Sequence, residues 1–200
     1  MASDTRGRRA VAIGAPLIGL VVVGLFAASY LLSNLAGLPS SFALPVPVRL
    51  LGAAIAVLGL AVIGWTFEYR GPLNVIASTY VTLGKAILRV PAAEMSGRRE
   101  PLVVGGPQRY VRSPLYFGVV VMVLGLALLS ADSFVFVATP VLLLWFGLVV
   151  IPFEERELGA LFGEQWKGYS EVTPMLIPFT KRGKRGRVSG QRFAGAEGET

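Results

Sequence analysis

The sequence predicts an all-α polytopic membrane protein, with about four transmembrane helices plus interfacial and cytoplasmic amphipathic helices. Three observations predict it. Hydrophobic residues make up 54% of the 200 and charged residues 16%, where a soluble domain carries roughly 25% charge. The mean hydropathy is +0.63. The apolar residues gather into runs near bilayer-spanning length, and nearly all Lys and Arg fall on one side of those runs.

The first span is expected from Ala10 to Leu35, behind Arg6, Arg8 and Arg9. Its apolar run, Ala10 to Leu32, is too long for a signal-peptide core and no clear small-residue cleavage site follows, so a retained helix is expected. Pro16 is tolerable within it because neighbouring helices can re-satisfy the backbone. Gly37 to Pro47 holds three Pro and no charge, a short outer loop. The second span is expected from Val48 to Phe67. Gly52, Ala56 and Gly59 share one of its faces, a small-residue stripe that admits a second helix closely. Trp65, Phe67 and Tyr69 fall where an interfacial aromatic belt belongs.

Past Gly71-Pro72 the pattern changes. Ile76, Tyr80, Leu83, Ile87 and Val90 recur at helical spacing against a polar stripe of Ser78, Thr82, Lys85 and Arg89. Such a helix can lie in the interface plane, with a tilted or re-entrant fifth span as the alternative. Pro91 to Val111 reads as a polar loop. The third span is expected from Pro114 to Ser130, a tight outer turn at Ala131-Asp132-Ser133, and the fourth span from Phe134 to Phe153 with a kink at Pro140. Leu158, Leu161, Phe162, Gln165 and Tyr169 then mark one face of a separate amphipathic helix ending near Gly168. The organisation is thus a two-helix membrane segment (1–72), an interfacial helix and cytoplasmic loop (73–113), a hairpin with an amphipathic helix (114–179) and a basic, disordered tail (180–200).

Four spans put both termini on one side. Of the 19 Lys and Arg residues, Arg49 alone lies near the outer face. The positive-inside rule then predicts a multi-pass protein of the cell (cytoplasmic) membrane with both termini in the cytoplasm. The net charge of +7 reads as attachment to an anionic leaflet, so the expected partner is the lipid bilayer and not nucleic acid. The chain has no Cys and no His. That removes disulfides, thiolate nucleophiles, Cys/His metal sites and an imidazole base. Chemistry must use carboxylates, Arg, Lys, Tyr or a bound cofactor. No ionisable residue falls at mid-span depth, which argues against a transporter.

The short outer turn makes the third and fourth spans an antiparallel hairpin, so the start of one lies level with the end of the other. Arg109, Tyr110, Arg112 and Tyr116 stand at the start; Glu154, Glu155 and Glu157 stand at the end. Cations, phenols and carboxylates meet at the cytoplasmic boundary. Arg at a helix N-terminus and Glu at a helix C-terminus both oppose the macrodipole, which suggests a role in binding a ligand or each other. Ordinary interfacial pairing is the structural alternative.

The stretch Gly106-Pro107-Gln108-Arg109-Tyr110-Val111-Arg112-Ser113-Pro114-Leu115-Tyr116-Phe117-Gly118 resembles the pattern G-P-x-R-Y-x-R-x-P-x-Y-x-G. Glu154-Glu155-Arg156-Glu157-Leu158, Phe162-Gly163 and Tyr169 resemble E-E-x-x-L-x-x-x-F-G-x-x-Y-x-x-Y, and Pro174 and Pro178 fit a trailing P-x-x-x-P. Together, over roughly Pro91 to Phe179, they resemble the isoprenylcysteine carboxyl methyltransferase and phospholipid methyltransferase superfamily, membrane enzymes that use S-adenosylmethionine. The resemblance implies a cytoplasm-facing cofactor site at the end of the hairpin. It implies that Arg112, Pro114, Tyr116, Glu154 and Glu155 help bind S-adenosylmethionine, with Tyr110, Gly118 and Tyr169 in the same motifs. It identifies no catalytic residue and no metal.

The chemistry of these side chains is compatible. Glu accepts from an ammonium or ribose, Arg holds a carboxylate bidentately, and Tyr faces can sit against a sulfonium or adenine. The sequence departs from the pattern at Gln108, Ser113, Trp166, Thr173 and Met175. The implied function is methyl transfer to a lipidic or amphipathic small acceptor: an isoprenylcysteine-like carboxylate, a phospholipid amine or a thiol. Two alternatives stand beside it: a sterol-reductase-like NADPH-dependent membrane reductase, and a non-catalytic membrane scaffold or sensor on the same core.

Overall fold

The computed structural model describes residues 2–37, 39–72, 75 and 102–178. The expected interfacial helix over 73–90 lies outside the described residues except for Val75, and so does the tail 180–200. Among the described residues the secondary structure is helical, apart from one isolated bridge between Ser41 and Asp132. Helix α1 spans Ala2–Ala36, α2 Val46–Arg70 and α3 Pro114–Ser130. Helix α4, Ser133–Trp145, passes through a π turn at Phe146–Val150 into α5, Ile151–Val172. Among the described residues, three stretches are long and apolar enough to cross a membrane: Ile18–Ala36, Val46–Arg70 and Ser133–Val172, the last of them broken at Gly163. Helix α3 is a shorter apolar helix of 17 residues, at the lower limit for a span.

Helix α3 starts and stops where the sequence expects. Pro114 opens it, because its missing N–H is one that a first turn leaves unpaired anyway. Ala131 ends it in the left-handed region, φ 56°. Being apolar on every face, α3 belongs inside, and it lies between α2 and α4. The seam with α2 is built from the small residues. An added Cβ at Gly52 would lie 2.6 Å from the Leu129 backbone N. Added at Gly59 or Gly125 it would run into the backbone of Met122 or Ala56. The stripe predicted on α2 thus finds its partner in Gly118, Met122 and Gly125 of α3. Ile63, Phe67, Met122, Val123, Ala127 and Val135 form the adjoining core, with Ile18, Val22, Leu25 and Phe26 of α1 packed against it.

Opposite faces are apolar and bare. Leu20, Val23, Leu35, Leu50 and Leu148 are each more than 60% exposed. In water such a surface would be an aggregation site; in lipid it is solvated.

The outer end is tied by polar contacts. The Asp132 carboxylate caps α4, accepting from the backbone N–H groups of Phe134 and Val135 at 3.0 Å each. The buried Ser29 hydroxyl of α1 donates to the same carboxylate at 2.7 Å. Phe42 N–H donates to Ala131 O and Ser133 N–H to Ser40 O, binding the outer loop to the turn. Arg49 Nε donates to Leu129 O at 2.9 Å, a cation on the carbonyl end of α3 where the dipole favours one. Asp132→Ala removes the cap and strands a buried hydroxyl, so it is expected to cost about 1–2 kcal/mol. A melting curve in detergent, beside Ser29→Ala, measures it.

Two expectations need correction. The hairpin's second arm does not stop at Phe153: it stays helical up to a break at Gly163, beyond which a further helical stretch runs to Val172. Glu and Arg propagate a helix well, and nothing breaks it at Glu154. Pro140 sits inside α4. A separate irregularity, the π turn, comes immediately before Pro152, whose absent N–H removes the bond to Leu148. Phe67 is 4% exposed and belongs to the core, whereas Trp65 and Tyr69 are exposed as a belt requires. Phe67 lies four residues past Ile63, on the face that meets α3.

Candidate functional site

The two motif stretches meet through main-chain bonds first. Arg112 N–H donates to Pro174 O at 2.9 Å and Ser113 N–H to Met175 O at 3.2 Å. The chain after α5 therefore runs beside the residues that lead into α3. The partly buried Met175 side chain packs against the cluster of Tyr116, Phe146, Val150, Ile151 and Leu176.

Arg112 is the hub. One guanidinium nitrogen lies 2.9 Å from Glu155 Oε1, with side chains 9% and 24% exposed. The guanidinium carbon lies 5.6 Å from the centre of the Trp166 ring, within cation–π range. Trp166 meets Tyr169 edge-on at 5.6 Å. The Tyr169 hydroxyl donates to Gln108 O at 2.7 Å. Burial raises the Tyr169 phenol far above its ordinary range, against the opposing pull of the Arg112 and Arg70 charges. It stays a neutral donor at physiological pH. Tyr169→Phe strands a buried carbonyl and is expected to cost about 1 kcal/mol, read as a lower melting temperature with no dependence on pH.

These groups surround a cleft of about 40 Å³. Its polar walls are Arg70, Gln108, Arg112 and Glu154. Trp166 and Tyr169 close one side, and Leu102, Val103, Leu158 and Phe162 supply apolar surface. At Gly163 the backbone leaves helical geometry, with φ 49° and ψ −121°, a conformation essentially confined to glycine. That break sets the course of the segment carrying Trp166 and Tyr169. Glu157, 3% exposed, is buried one turn along from Glu154.

Of the eight residues singled out from sequence, Arg112, Glu154 and Tyr169 line the cleft, and Glu155 is bound to Arg112. The other four stand elsewhere. Tyr110 is half-exposed, its ring 6.0 Å from that of Trp65. Pro114 is spent on starting α3. Tyr116 is 5% exposed and packs on Phe146 with centroids 4.8 Å apart. Gly118 faces α2, where an added Cβ would lie 2.8 Å from Ile63 Cγ1. Helix periodicity explains the last two: Tyr116 turns toward the π segment and Gly118 toward the small-residue seam.

Arg70 and Gln108 also line the cleft, though neither is among the residues that the motifs imply. A signal for Arg70 was present. Gly52, Ala56, Gly59, Ile63 and Phe67 step down one face of α2, and Arg70 continues it. Gln108 was visible as a departure from the pattern, as was Trp166. Gly106, at φ 59°, lets the Tyr69 ring press against the turn that carries Gln108.

The Phospholipid methyltransferase family model matches residues 48–165, which spans α2, the hairpin and both motif stretches up to Gln165. A methanethiol S-methyltransferase of Mycobacterium tuberculosis is 28% identical over 125 residues, 59% of this chain and 49% of that protein. One from Crocosphaera subtropica is 35% identical over 71 residues, 36% of this chain and 27% of that protein. Methanethiol S-methyltransferase 2 of Bradyrhizobium diazoefficiens is 28% identical over 128 residues, 63% and 47% of the two chains. The chain spans about half, or less, of the length of these relatives. No solved structure matches. On a family match covering more than half its length, the chain belongs to the phospholipid methyltransferase family.

Proposed function

We propose that this protein is an integral membrane methyltransferase that takes its methyl group from S-adenosylmethionine at the Arg112–Glu155 cleft. The observation that carries the reading is the ion pair itself: two motif stretches some forty residues apart converge on one cleft. The donor chemistry suits the walls. Arg112 and Arg70 match a carboxylate, Glu154 an ammonium or ribose hydroxyl, and Trp166 the face of a cation or a planar base. The cleft as it stands holds about three waters at most. A nucleoside-sized ligand must therefore displace a wall, and the segment beyond Gly163 is the one hung on a non-helical residue.

When bound, S-adenosylmethionine supplies a methyl carbon attached to a cationic sulfur leaving group. The chain's task is to align that carbon with the acceptor and keep water away. Arg112 fixes the orientation, Leu102, Val103 and Phe162 exclude water, and a cleft carboxylate can take the proton lost by the acceptor. For the acceptor, the relatives' names favour a small apolar thiol. A phospholipid amine, after the family's description, is the second reading. The bare apolar faces of α2 and α4 support entry from lipid in either case. The concentration of Lys and Arg at one end supports a cytoplasmic cleft and cytoplasmic termini.

Membranes carrying the protein, given a methyl-labelled donor with and without methanethiol, test both parts. Label in a volatile thioether supports the thiol reading and label in extracted lipid the second. Label in neither, with folded protein present, would contradict the enzyme reading.

A further inference from the structure

Gln108 is 4% exposed and lines the cleft. Among the described residues, neither its amide nitrogen nor its amide oxygen has a hydrogen-bond partner. Its main chain, by contrast, is firmly held: it sits in the 3-10 turn Gly106–Arg109, and its carbonyl accepts the Tyr169 hydroxyl at 2.7 Å. The side chain is thus positioned but unspent. A buried amide without partners destabilises the ligand-free protein, and a methionine of similar length would avoid that cost. The polar side chains around it carry charge, in Arg70, Arg112 and Glu154. Gln108 alone among these four offers an uncharged donor and acceptor side by side in one plane.

That pairing has a natural complement. The 6-amino group of adenine beside a ring nitrogen presents a donor and an acceptor at matching separation, and a glutamine amide pairs with such an edge through two hydrogen bonds. The charged walls suit the ionic end of the same molecule, and the Trp166 ring supplies a flat face. We propose that the Gln108 carboxamide reads the 6-amino edge of the donor's adenine and is a specificity-determining residue of the cleft. This rests on the S-adenosylmethionine reading above.

The test is equilibrium binding in detergent of S-adenosylhomocysteine and its analogue lacking the 6-amino group. Wild type is expected to prefer the amino form by about tenfold or more. In Gln108→Met the preference should vanish, while the ligand-free variant melts at or above the wild-type temperature. Gln108→Leu likewise removes both the donor and the acceptor at similar volume. It should lose the preference as well, and it keeps the test open if the methionine variant does not fold. An undiminished preference in the variants overturns the proposal alone. So does a lower melting temperature with both ligands weakened alike, which is what a structural amide would produce. Failure of wild type to bind either ligand overturns the cofactor reading and this proposal together.

Discussion

Arg112→Met is expected to weaken S-adenosylhomocysteine binding by about a hundredfold and to cost about 2–4 kcal/mol of stability. The reasons are geometric. The Arg112 side chain is 9% exposed and lies 2.9 Å from Glu155, so its loss leaves a carboxylate facing a cation-shaped gap. It also removes the cation over Trp166 and a guanidinium from the cleft wall. Arg112→Lys separates charge from shape. It restores a cation but not the planar fork or its stacking, so stability should recover more than affinity. Glu155→Gln should resemble Arg112→Met in affinity. The double variant should be less damaged than the two single losses summed, because the partners share one interaction. Calorimetric titration and melting curves on the four proteins decide it; strict additivity would mean that the pair does not act as a unit.

The second large effect concerns the seam between α2 and α3. Gly125→Leu is expected to cost about 3 kcal/mol or more, enough to prevent isolation of folded protein in mild detergent. An added Cβ there lies against the Ala56 backbone and 2.7 Å from the Gly52 carbonyl oxygen. A main chain cannot give way as a flexible side chain can, so the helices must separate. The displacement would also reach the site, because Arg112 precedes α3 by two residues and Arg70 ends α2. Gly64→Leu, on the other helix of the seam, α2, is the control. Nothing lies within 4 Å of its added Cβ, and the new side chain would meet lipid, so folding should be unaffected. If both variants fold equally well, the seam is not what fixes α2 on α3.

Elements with strong local signals were legible in the sequence. Pro114 and the Ala131-Asp132-Ser133 turn bound α3 where expected, since proline, a capping Asp and an all-apolar run each act within a few residues. The stripe Gly52, Ala56, Gly59 announced a close helix, though not which one. What misled was charge. Glu154 and Glu155 looked like the end of a span, but a carboxylate pair marks the end of the apolar run, not of the helix. Helix α5 carries on past them to the break at Gly163, so these residues are not at a helix C-terminus and the dipole argument does not apply to them. In the site, the motifs named the right stretches but not the facing of each residue. Arg112 and Glu155 meet because the hairpin levels their ends, which short-turn arithmetic already required. Tyr116 and Gly118 turn away because their angular positions on α3 depend on where α2 and the π turn lie. That information is tertiary. In the sequence Gln108 is only a mismatch to a pattern; its burial and its unspent amide at the cleft are tertiary facts.

The central claim is that the methyl donor binds at the Arg112–Glu155 cleft. Photo-crosslinking of methyl-labelled S-adenosylmethionine to the membrane-embedded protein, followed by mapping of the labelled peptides, tests it most directly. Label is predicted on the stretches 102–118 and 151–178, to be competed away by S-adenosylhomocysteine and lost in Arg112→Met. Competable label confined to α1 or the outer turn, or saturable label unchanged in Arg112→Met, would contradict it.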